Sequence, residues 1–88
     1  MEIWKYVLEL NNIQNIEMPQ DAKILCLQTQ FFIPCVWALV DPKAEKEIRT
    51  FETFGTGHEL NDNYKGKYIG TYQQREGCLI FHVFLTNN

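Results

Sequence analysis

Apolar and polar residues alternate with a period of two along much of this chain. In Trp4-Lys5-Tyr6-Val7-Leu8-Glu9-Leu10, positions 4, 6, 8 and 10 share one side of an extended strand, and Lys5, Val7 and Glu9 share the other. Asn11-Asn12 ends that strand. Ile16-Glu17-Met18-Pro19 reads as a short extended piece, because the residue before a proline is pushed out of helical space. Lys23 to Gln30 predicts a second strand and Ile33 to Val40 a third. The third is apolar on both sides, with Cys35, Trp37 and Leu39 on one and Val36, Ala38 and Val40 on the other. Such a strand belongs in the middle of a sheet or inside a closed barrel, and Trp37 is the aromatic expected to be fully buried. Pro34 lacks an N–H for the ladder and so belongs at the strand's beginning.

Glu47 to Phe54, Tyr68 to Gln73 and Cys78 to Leu85 predict three more strands. Turn signals separate them: the charged Asp41 to Lys46 segment, Gly55-Thr56-Gly57-His58, the polar Glu59 to Lys67 loop, and Arg75-Glu76-Gly77, whose glycine is available for positive φ. No long segment has a helical period. The pattern predicts a mostly-β fold, a small antiparallel β-sandwich or barrel of about six strands, with residues 1–88 as a single domain.

Composition narrows the function. A chain that is 45% hydrophobic and 14% aromatic is too apolar for intrinsic disorder. Its net charge is −3, with no basic stripe of the kind that phosphate neutralisation leaves on nucleic-acid binders, so no nucleic-acid partner is expected. No apolar run approaches the roughly 18–20 residues of a membrane span, and Met1-Glu2-Ile3-Trp4-Lys5 does not read as a signal peptide. Cys26, Cys35 and Cys78 match no zinc spacing and read as reduced thiols, so neither a metal nor a cofactor is expected. GxSxG, HExxH and a paired-carboxylate signature are all missing. The expectation is therefore a binding protein with no catalytic residues.

Candidate ligand-binding residues are few. In Gly55-Thr56-Gly57-His58, two glycines free the backbone to turn successive N–H groups into one concavity that suits an anion, with Thr56 and His58 adding bonds. The plainer alternative is a glycine-rich strand exit with His58 in solvent. His82 shares a strand face with Cys78, Ile80 and Phe84; it either bonds a neighbouring hydroxyl or carbonyl, or contacts a ligand. Arg49, on the face of Phe51, either presents a fork to a phosphate or carboxylate or is an edge-strand charge that discourages aggregation. Tyr68 is an aromatic that could line a pocket. Phe31-Phe32 falls where a polar hairpin turn is expected. Adjacent strand residues face opposite ways, so either one Phe is exposed as a partner contact or the third strand is longer and buries one.

These segments together resemble a family of short tailed-phage proteins of unknown function. The resemblance rests on Ile3-Trp4-Lys5-Tyr6, Ile16-Glu17-Met18-Pro19, Ala22-Lys23-Ile24-Leu25, Pro34 to Pro42, Phe51 to His58, Tyr68-Ile69-Gly70-Thr71 and Leu79 to Phe84. It implies a phage accessory protein acting in the host cytoplasm and carries no established activity. Relatives have a polar, glycine-containing turn where this chain has Phe31-Phe32-Ile33. Two expectations follow. One is a sponge that sequesters a nucleotide-type immune signal to counter host defence, using Arg49, Gly55, Thr56, Gly57, His58, His82 and Tyr68. The other is an inhibitor of a host protein, using Phe31, Phe32 and an acidic surface. A homodimer or higher homo-oligomer would suit either.

Overall fold

The computed structural model describes residues 1–86. Among these, seven strands form: β1 (Glu2–Val7), β2 (Ile13–Pro19), β3 (Lys23–Gln30), β4 (Ile33–Val40), β5 (Lys46–Gly55), β6 (Lys67–Gln74) and β7 (Leu79–Leu85). Every pairing is antiparallel. β1, β4 and β3 make a three-stranded sheet in that order, and β2, β5, β7 and β6 make a four-stranded sheet. The two pack as a β-sandwich.

The strand absent from the sequence expectation is the full-length β2, of which only Ile16–Pro19 is foreseen. Gln14 and Asn15 blur its alternation, but all seven of its residues pair with β5. β1 is shorter than its pattern suggests. Leu8 continues it by donating its N–H to the Pro34 carbonyl at 2.9 Å and is buried, whereas Leu10 is exposed. β4 is the central strand of its sheet, as its two apolar faces require. Val36, Ala38 and Val40 are its inward residues and are fully buried. Trp37, expected to be the fully buried tryptophan, lies on the outer face and is only half-buried, because a three-stranded sheet has nothing packed over that side.

Met18, Phe51, Val83 and Leu85 from the four-stranded sheet meet Leu27, Val36, Ala38 and Val40 from the other to form the core. The edge strands β3 and β6 close one side of the sandwich. Contact there is tight, since a Cβ at Gly70 would lie 3.0 Å from Leu27 Cβ and 3.1 Å from its Cδ2. Leu27 Cβ cannot retreat without moving its backbone. Gly70→Ala is therefore expected to cost about 1–3 kcal/mol, the usual penalty for overpacking, seen as a lower urea midpoint at unchanged slope. A midpoint equal to that of the parent would mean that the two edges slide apart freely.

Candidate functional site

Register decides which side chains meet on the outer face of the four-stranded sheet. Glu52 and Tyr68 both pair with Phe84, and Phe54 and Thr71 both pair with His82, so these six residues form two adjacent rows on that face. Tyr64, from the loop before β6, lies over them. Its ring meets Phe54 and Phe84 edge-on at 5.4 Å between centroids in each case, and its hydroxyl donates to Glu52 Oε1 at 3.0 Å. Tyr68 packs on Phe84 at 5.6 Å. Burial, and then the bond to and charge of Glu52, push the Tyr64 phenol up to about 12 from an ordinary value near 10. The raised value means that the neutral phenol is the form the fold favours. Its contribution to stability is present in full below pH 10 and is lost as the pH rises through about 12. Ultraviolet titration of tyrosinate should show a late transition near pH 12 that disappears in Tyr64→Phe. Glu52→Gln should lower it only to a limited extent, because desolvation is the larger cause.

His82 is held in a chain of hydroxyls. Its Nε2 lies 2.7 Å from Thr56 Oγ1 and its Nδ1 lies 2.9 Å from Thr71 Oγ1, which in turn lies 2.6 Å from the Tyr68 hydroxyl. A neutral imidazole donates through one nitrogen and accepts through the other, so the chain has one direction for each tautomer. This is the hydroxyl-bonded arrangement weighed for His82 from the sequence. Its partner Thr71 carries no local signal, because only the β6–β7 register brings the two together.

The glycine turn does not form the anion-binding concavity expected of it. Gly57 takes a φ of 93°, as anticipated, but the N–H groups of Gly55, Thr56 and His58 are already used. Gly55 N–H donates to His58 Nδ1 at 3.1 Å, Thr56 N–H to the Ile80 carbonyl at 3.2 Å, and His58 N–H to the Gly55 carbonyl at 3.1 Å. The imidazole of His58 has folded back onto its own turn and competes for the place an anion would take.

Arg49 stands on the other side of the same sheet. β5 is an interior strand between β2 and β7, so Arg49 is not an edge charge. It is 4% exposed, the buried charged residue among those described. Its Nη2 donates to the Ala22 carbonyl at 2.8 Å and its Nε to Glu47 Oε1 at 3.2 Å. Alternation along β5 puts Arg49 with Phe51 on the inner face and His82 on the outer one, so a single pocket of Arg49, His58 and His82 is not assembled. Tyr68 touches both groups: it ends the hydroxyl chain and lines the same hollow as Arg49.

Phe31 and Phe32 are both in solvent, 86% and 85% exposed, so the longer strand that would bury one of them does not form. They are the two central residues of the β3–β4 turn, between the paired Gln30 and Ile33, and their φ values are 50° and 68°. Positive φ at both positions is the type I′ arrangement, which normally takes Asn-Gly. Gln74 at the end of β6 donates to the Phe32 carbonyl at 2.9 Å, which brings the β6–β7 turn alongside. That turn holds Arg75 and Glu76, also at positive φ, 51° and 55°. Four of the five described non-glycine residues at positive φ thus sit on two adjoining turns at one end of the molecule.

Fold and surface together define a small two-sheet β domain with a chain of hydroxyls on one face and an exposed aromatic turn. A family model described as a domain of unknown function (DUF7352) matches residues 1–88, and the chain belongs to that family. No curated protein and no solved structure matches it. Among the described residues, no helix is long and apolar enough to cross a membrane, and the three cysteines are free.

Proposed function

We propose that this is a phage-encoded, non-enzymatic binding protein that inhibits a host protein by inserting the Phe31–Phe32 turn into an apolar recess of its partner. The phage setting rests on the sequence resemblance. The contact rests on one observation: two adjacent phenylalanines are held in solvent at a backbone conformation unfavourable to both. A left-handed conformation costs a non-glycine residue roughly 1–2 kcal/mol, and such strain persists where the surrounding structure over-determines it, commonly at binding sites. Here the ladder below the turn and the Gln74 bond beside it supply that constraint. A stiff aromatic tip loses little entropy on docking, and aromatic anchors filling pockets dominate interface energetics.

The test is capture of a partner from host lysate by wild type and by Phe31→Asn/Phe32→Gly, a pair that keeps the type I′ turn. Burying one phenylalanine is worth about 1.5–3 kcal/mol, so losing both should weaken capture at least tenfold while the circular dichroism spectrum is unchanged. Equal capture by the double variant would sink the reading. Dimerisation of wild type alone, measured by light scattering, would assign the tip to a second copy instead.

A further inference from the structure

The edge strands that touch at Leu27 and Gly70 diverge immediately beyond that contact. The β3 register shifts between Ile24 and Cys26, and the β6 register shifts between Tyr68 and Gly70. Leu25 and Ile69 are the extra residues, and a bulge bends its strand away from a straight ladder. The two bulges face one another, and between them lies an open cleft of about 350 Å³. Arg49, Lys23, Lys67, Asp21, Tyr68 and Ile69 are among its lining residues.

The charge of this cleft runs against that of the whole molecule. The chain carries a net −3, yet three of its eight lysines and arginines line this one hollow. Glu47 offsets Arg49 and Asp21 in the lining offsets one of the two exposed lysines, which leaves the cleft with one positive charge in excess. Lysine ammonium groups are movable point charges suited to phosphate, and the guanidinium of Arg49, held by Glu47 and the Ala22 carbonyl, forms part of the floor below them. Tyr68 brings an exposed aromatic ring to the same rim, and such rings stack on planar groups such as nucleobases. The volume lies at the small end of the roughly 300–1,000 Å³ typical of small-molecule sites.

We infer that the cleft between the β3 and β6 bulges binds a small phosphorylated molecule, its phosphate held by Lys23 and Lys67 above Arg49 and its organic portion resting on Tyr68. This moves ligand recognition away from the glycine turn, where the N–H groups of Gly55, Thr56 and His58 are used internally. It is independent of the Phe31–Phe32 contact, which lies at the other end of β3.

An amide-resolved NMR titration of the full chain with AMP, adenosine and inorganic phosphate at constant ionic strength tests it. AMP should shift the amides of residues 23–26 and 67–69. Adenosine should bind at least about tenfold more weakly, because it lacks the charge that the lysines read. Inorganic phosphate should displace AMP. Lys23→Gln/Lys67→Gln, at two exposed positions where the fold tolerates change, should weaken AMP by a similar factor. The inference is overturned by any of three results: no AMP-dependent shift at millimolar ligand, adenosine binding as well as AMP, or undiminished AMP binding by the double variant.

Discussion

Phe31→Asn/Phe32→Gly is expected to make this protein more stable while it removes the two most exposed large apolar side chains among the described residues. Both phenylalanines are at positive φ and expose most of their side chains, so the folded state gains little burial from them and bears the backbone cost. Asparagine tolerates the left-handed region through local hydrogen bonding, and glycine has no Cβ to clash. Asn-Gly is also the pair that type I′ hairpins prefer. Relief of roughly 1–2 kcal/mol should raise the melting temperature by about 5–10 °C in a domain of this size. Thermal melts followed by circular dichroism would measure it. An unchanged or lower melting temperature would show that the rings pack on the adjoining turn and that the backbone there is unstrained. A gain in stability coupled to a loss of partner capture would separate function from folding in one variant.

Phe51→Ala should do the opposite, and by more. Phe51 is fully buried on the inner face of β5, next to Gln14 of β2 and Leu85 of β7 in the ladder. Truncating a buried phenylalanine removes its transfer free energy and leaves a cavity, at a cost of about 3–5 kcal/mol. A domain of this length holds on the order of 4–13 kcal/mol in all. The variant should therefore unfold at markedly lower denaturant or lose its folded NMR spectrum altogether at room temperature. Phe31→Ala, the same chemical change at the exposed turn, should stay within about 0.5 kcal/mol of wild type. A small effect at Phe51 would mean that the core repacks around the hole, which dense protein interiors rarely manage.

Much of the fold is legible because strand formation is written locally. Alternation marks β3, β5, β6 and β7, and an apolar run marks β4, to within a residue or two at either end, and Arg75-Glu76-Gly77 marks the last hairpin turn. β2 is legible only at its proline end, because Gln14 and Asn15 are as polar on its inner face as on its outer. The site is less legible. The strand around His82 shows that a hydroxyl partner would suit its imidazole, but the partners themselves, Thr56 and Thr71, stand 26 and 11 residues away. Lys23 and Lys67 give no signal in the sequence because neither is unusual in its own segment. They become notable only when two bulges open a cleft between edge strands.

Side-chain period is a property of each strand alone, and so the mostly-β class and the exceptional character of Phe31-Phe32 were settled by the chain's own order of residues, whereas the two apolar faces of β4 left its inward side to the packing. Partnership is a property of pairs remote in sequence. Only the packed sandwich decided that Arg49 turns inward while His82 turns outward, that the Gly55, Thr56 and His58 N–H groups are taken up within the protein, and that β3 and β6 touch at Gly70 and separate at Ile69. The physical reason is that hydrogen-bond register and close packing are fixed by which backbones and side chains can occupy the same space, and no local pattern encodes that.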